Sequence, residues 1–108
     1  MNISRRLNRL AELVTEGSRL ADVGTDHGYV PLCLCREKKI PSAIAMDINK
    51  GPLERAKSHI AEAGLTAYIE TRLSNGLHEL KRGEADTVLI AGMGGALMVR
   101  ILSEGTEA

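Results

Sequence analysis

The residues best suited to chemistry fall in four short stretches of this 108-residue chain: Asp22 to Gly28, Asp47, Ser74 to Gly76, and Gly92 to Gly95. The first reads Asp22-Val23-Gly24-Thr25-Asp26-His27-Gly28, with a carboxylate on either side of Gly24. Glycine lets a backbone turn tightly and lie close to a ligand. Carboxylates attract cations and accept hydrogen bonds from diols. The spacing here is G-x-x-x-G rather than the G-x-G-x-x-G of dinucleotide sites. A pyrophosphate would be repelled by Asp22 and Asp26. A phosphate-free ligand with a sulfonium and an ammonium, S-adenosylmethionine, suits the loop better. A plain turn without ligand is the alternative.

Asp47 ends an apolar run and is placed to take the two hydroxyls of a ribose, as an acid does at this position in nucleotide sites. Its alternative is a helix-capping or loop residue. Asn75 offers a side-chain amide to an adenine amine, or forms a simple Asn-Gly turn with Gly76. Gly92-Met93-Gly94-Gly95 has more glycine than a turn requires, which points either to backbone laid against a ligand or to close packing at a sheet crossing. Cys33 and Cys35 stand one residue apart, too close to bridge readily and not a C-x-x-C pair; they read as packing residues of a helix. No His/Cys cluster has metal-ligand spacing. His59 and His78 read as solvated side chains.

These stretches need elements to hold them. Ile3, Leu7, Leu10, Ala11 and Val14 recur at helical spacing, with Ser4 as N-cap, predicting a helix from Ser4 to Glu16 closed by Gly17. Arg5, Arg6 and Arg9 lie on or near one face of it, either for phosphates or as a solvated face with Glu12 and Glu16. Arg19 to Val23 predicts a buried strand, and Gly28 opens a helix whose first turn accommodates Pro31. Ser42 to Asp47 predicts a second strand, and Gly51 to Gly64 a helix with Leu53, Ala56 and Ile60 on one face. A third strand is expected at Ala67 to Arg72, a short helical stretch at Leu77 to Lys81, a fourth strand at Thr87 to Ala91 and a last helix from Ala96 to Ser103. Met46 and Met98 read as core. Strands alternating with helices mean α/β architecture, a Rossmann-like, doubly wound parallel sheet with flanking helices. Ligands sit beyond the carboxyl ends of strands in such sheets, where all four stretches fall.

Composition bounds the rest. With 14 basic and 14 acidic side chains the net charge is zero, which argues against a generic nucleic-acid binder. No Phe, no Trp and two Tyr exclude an aromatic platform for single strands. No apolar run reaches the roughly 18 residues of a membrane span, and Met1 to Arg6 lead into charged sequence rather than a signal-peptide apolar stretch. A single reduced, cytoplasmic domain is expected.

Six segments carry a resemblance: Ser4 to Leu7; Ala21 to Tyr29 with Pro31; Ala45-Met46-Asp47; Gly51-Pro52-Leu53 with Ala56; Arg72 to Leu77; and Ile90 to Gly95. Together they resemble class I S-adenosylmethionine-dependent methyltransferases. More narrowly, they are similar to the bacterial tRNA adenine-N1 methyltransferases that modify position 22. The resemblance implies that Asp22 and Gly24 line the methionine part of the cofactor and Asp47 holds the ribose. It places Asn75 and Gly76 beside the adenine, Gly92, Met93 and Gly94 near the transferable methyl, and Asp26, His27 and Tyr29 as catalytic candidates facing the target base. It implies tRNA as partner. Adenine N1 carries an in-plane lone pair, so proximity and electrostatics would carry transfer without a strong base. Asp26 would stabilise the cationic product, and His27 would orient the base or simply cap a helix.

The family has a seven-stranded sheet and a coiled-coil extension. This chain supplies four expected strands in the order 3-2-1-4, so it is expected to be a fragment, the cofactor-binding half, inactive alone. Its fourth strand, Val88 to Ala91, would be an exposed apolar edge and a route to self-association. Two other functions stand beside this one: an NAD-type Rossmann domain, and a fold remnant serving as an interaction module.

Overall fold

A computed structural model describes residues 9, 11–25, 28–81, 83–92 and 95–100, with residues 91, 92 and 95–100 described by their backbone. The elements are strand β1 (Arg19–Val23), helix α1 (Tyr29–Arg36), strand β2 (Ser42–Asp47), helix α2 (Lys50–Glu62), and strands β3 (Ile69–Leu73), β4 (Thr87–Gly92) and β5 (Gly95–Arg100). The sheet order is β3-β2-β1-β4-β5. The first four strands run parallel, in the order 3-2-1-4 expected of a Rossmann-like domain.

Alternation along each strand sorts the core into two layers. Leu20, Ala43, Ala45 and Leu89 face one way and join Leu34 of α1 and Ile60 of α2. Ala21, Val23, Ile44, Met46 and Val88 face the other way, where the 74–86 connection brings Leu77, Leu80 and Ala85. This follows from handedness. Successive right-handed crossovers stepping in one direction, β1 to β2 to β3, put both helices on one face. The return from β3 to β4, across β2 and β1, reverses direction and passes over the other face.

Four expectations need correction. Residues 95–100 form β5, antiparallel to β4, where a helix from Ala96 was expected. A lone parallel strand at the rim leaves a row of unpaired amides and carbonyls, and pairing with the next segment satisfies them. The edge at Val88 to Ala91 is therefore covered by the chain itself, and self-association through it loses its premise. Where a helical stretch was expected over 77–81, residues 76–79 form a turn and 80–81 have no regular structure, with amides of His78 and Leu80 bonded three residues back; five residues are too few to sustain a helix nucleus. Finally, residues 11–13 are helical and the chain then turns, short of Glu16. Lys39 Nζ takes the carbonyls of Ala11 and Glu12, at 3.2 and 3.3 Å, which the next turn of helix would otherwise use. The earlier part of that helix, with Arg5 and Arg6, lies outside the described residues, as does the side chain of Met98. Met46 is fully buried.

No helix among the described residues is long and apolar enough to cross a membrane. Both cysteines are free. Burial pushes the Cys35 thiol up to about 11, and burial, then Glu37, raises that of Cys33, so neither is a ready nucleophile.

Candidate functional site at the carboxyl ends of the strands

β1 runs out into Gly24 at φ 75°, a left-handed conformation that glycine adopts without penalty. The amides of Gly24 and Thr25 both donate to the carbonyl of Met46, at 2.9 and 2.8 Å. The loop is thus stitched to the end of β2. Gly28, also at φ 75°, is the N-cap of α1. A Cβ on Gly28 would stand 3.0 Å from that of Ala56, so α1 and α2 approach each other closely here.

Asp22 pairs with Ala45 across the β1–β2 ladder. Asp47, two residues further along β2, lies on the same face of the sheet. Both carboxylates are buried, 3% and 7% exposed. Thr25 Oγ1 donates to Asp22 Oδ2 at 2.9 Å. Burial pushes the Asp22 carboxyl up to about 7; the Thr25 hydroxyl opposes this and the charge of Asp47 adds to it. Asp47 accepts the Asn49 amide on Oδ1 at 3.0 Å, a turn within the loop ahead of α2, whose N-cap is Asn49 with no side-chain cap bond, while its main-chain carbonyl receives the Ser74 amide at 2.9 Å. Three strand ends are thereby tied together.

At the end of β3, Asn75 and Gly76 are exposed and Gly76 has φ 63°. Buried Ser74 shapes this turn, donating to the Gly76 carbonyl at 2.8 Å and accepting the Glu79 amide at 3.2 Å. Gly92 ends β4, opposite Gly95. Asp26, His27, Met93 and Gly94 lie outside the described residues. Of the sequence-predicted residues, the structure brings Asp22, Gly24 and Asp47 together, with Asn75 and Gly76 at the adjoining strand end. Tyr29, expected to face the target base, is not in that group. The Tyr29 ring stacks on His59 of α2, centroids 5.5 Å apart and planes 13° apart. The groove of about 320 Å³ that they line takes in Leu32 and Arg36 but neither Asp22 nor Asp47.

Sequence reasoning missed two contributors. Thr25 had a readable signal, a hydroxyl three residues after an acid in a glycine loop. His59 had none, since its stacking on Tyr29 is a tertiary contact. A larger cavity of about 500 Å³, lined by Arg36, Lys38, Ile40, Leu65 and Tyr68 among others, opens at the amino ends of the strands, away from the carboxylates. No group of three or more His, Cys, Asp or Glu side chains among the described residues could hold a metal ion.

A sheet in which four parallel strands are ordered 3-2-1-4, with a glycine loop after β1 and an acid at the end of β2, defines a Rossmann-like α/β domain, a class that places ligands beyond the carboxyl ends of its strands, and comparison with known proteins makes the class specific. Residues 3–108 match the family model described as a methyltransferase domain, and the chain belongs to that family. It is 41% identical over 107 residues to the tRNA (adenine(22)-N(1))-methyltransferase of Bacillus subtilis, covering 99% of this chain and 45% of that protein. Among solved structures it resembles M. capricolum TrmK in complex with S-adenosyl-homocysteine, with 43% identity, a TM-score of 0.77, and coverage of 83% of this chain and 41% of that one. It also resembles a Streptococcus pneumoniae protein in complex with S-adenosyl-L-methionine, with 39% identity, a TM-score of 0.82, and coverage of 86% and 44%. The chain spans less than half the length of each of these relatives.

Proposed function

We propose that this chain is the S-adenosylmethionine-binding part of a methyltransferase that modifies N1 of an adenine in tRNA, working in the cytoplasm and inactive without the remainder of such an enzyme. The observation that carries the reading is the pair of buried carboxylates, Asp22 and Asp47, at adjacent strand ends beside a loop opened by Gly24. That donor set fits a ligand with positive charge, a diol and no phosphate. It does not fit a pyrophosphate, and so disfavours the NAD-type alternative. The known ligands of the relatives, S-adenosyl-L-methionine and S-adenosyl-homocysteine, have this chemistry.

On this reading Asp22 and Gly24 line the methionine end, Asp47 accepts from the ribose hydroxyls, and Asn75 with Gly76 flanks the adenine. Gly92, Met93 and Gly94 lie near the reacting carbon, and Asp26 and His27 face the target base. Tyr29, engaged with His59, acts by fixing the start of α1. The bound cofactor supplies a methyl group on a sulfonium. The chain's residues hold and orient it, and adenine N1, unprotonated at neutral pH, needs no base to attack.

Calorimetry with S-adenosylmethionine, S-adenosylhomocysteine and NAD tests this. Binding heat is expected with the first two alone, and Asp47→Ala should weaken both by about 1.5–3 kcal/mol, the range for hydrogen bonds to a charged group. Absence of heat with the first two, or preference for NAD, overturns the reading.

A further inference from the structure

Asp22 sits under opposing influences. It is 3% exposed, and Asp47 lies on the same face of the neighbouring strand. Among the described residues Asp47 is the charged side chain acting on it; Asp26 and His27 belong to the same loop but lie outside those residues. Desolvation and a like charge both favour the neutral acid. One group works the other way: Thr25, 6% exposed, donates its hydroxyl proton to Asp22 Oδ2, a bond that favours the ionised form. The main chain of Thr25 is itself anchored, its amide bonded to Met46 and its carbonyl accepting from Gly28. The hydroxyl is therefore held in place rather than free to follow the carboxylate.

We propose that Thr25 is a positioning residue that holds the Asp22 carboxyl in this buried position, and that a ligand bringing an ammonium to it binds with release of one proton from Asp22. This rests on the cofactor reading given above and extends it. The balance is simple. The O–H bond of Asp22 breaks, the proton passes to solvent buffer, and the carboxylate left behind faces the ligand's cation, so that one positive charge enters as another leaves. Thr25 sets how readily this happens, because its hydrogen bond already stabilises the anion. With the Asp22 carboxyl pushed up to about 7 in the free chain, roughly half of it carries a proton at neutral pH, and the exchange falls in the physiological range.

Calorimetry of S-adenosylhomocysteine binding to the 108-residue chain, in phosphate and in Tris, counts the protons, because the two buffers differ in ionisation heat. Wild type should release roughly half a proton or more at pH 6.5 and almost none at pH 8.5, as linkage requires for a group titrating near 7. Asp22→Asn should bind without proton release at any pH. Thr25→Ser should match wild type. Thr25→Val, with its fold verified by circular dichroism, should move the release profile to higher pH and weaken binding at pH 7 by about tenfold, one ordinary hydrogen bond. Binding by wild type with no proton release at pH 6.5 overturns the linkage alone. A Thr25→Val profile coincident with wild type overturns the role of Thr25. Absence of binding heat at every pH overturns the cofactor reading, and this inference with it.

Discussion

The two faces of the sheet are closed in different ways. On one, α1 and α2 lay Leu34 and Ile60 against Leu20 and Leu89, all at most 2% exposed. On the other, the described residues of the 74–86 connection form no helix, and Leu77, Leu80 and Ile90 are only partly buried. What holds that connection down is polar. Arg72 of β3 makes a two-pronged bond to Glu84, at 2.7 and 2.8 Å, and also binds the Glu79 carbonyl at 2.8 Å and the Glu70 carboxylate. Such forked guanidinium–carboxylate pairs fix geometry as well as adding energy. Repeated βαβ units thus close one face by apolar burial, while the single return crossing relies on a charge clamp. The site sits at the carboxyl rim, where the loop from β1 and the turn from β3 meet.

The sharpest way to break this comparison is core truncation. Leu34→Ala on the helical face should destabilise by about 3–5 kcal/mol in urea denaturation, whereas Ile44→Ala on the thinner face should lose about 2, since a looser layer collapses into the space more readily. Equal losses would mean that the faces are equally packed. Next is Gly28→Ala. It combines a left-handed φ with a 3.0 Å approach to Ala56 and should cost about 1–3 kcal/mol. The same measurement checks it, and a neutral result would mean that α1 shifts freely over α2. The smallest effect concerns the clamp. Arg72→Ala should cost about 1–2 kcal/mol at pH 7. Arg72 holds the Glu84 carboxyl down at about 2. Its folded value lies below the unfolded one, so the stabilisation is present above pH 4.5 and lost as pH falls toward 2. Stability of the variant should therefore fall less steeply than wild type across that window.

Residues differ in how plainly they announced these roles. Arg19 to Val23 and Ser42 to Asp47 were legible to the residue, because short apolar runs ended by an acid have few other uses. Asp22, Gly24 and Asp47 were legible as a group because each stands at the carboxyl end of such a strand. Residues 95–100 were not. Their apolar pattern suits a helix or a strand, and the open rim of β4 decided between them. Arg72 and Glu84 are twelve residues apart in sequence, and His59 finds Tyr29 only after both helices dock. Local pattern cannot report partners of that kind.

The doubly used carbonyl of Met46 has a consequence for timing. Because it holds the amides of both Gly24 and Thr25, the backbone at the mouth of β1 behaves as an extension of the sheet rather than as a lid. Amide hydrogen exchange there should follow the slow opening of β1 and β2. At Gly24 and Thr25, therefore, a ligand meets backbone already fixed to the sheet, and order there need not be created on binding.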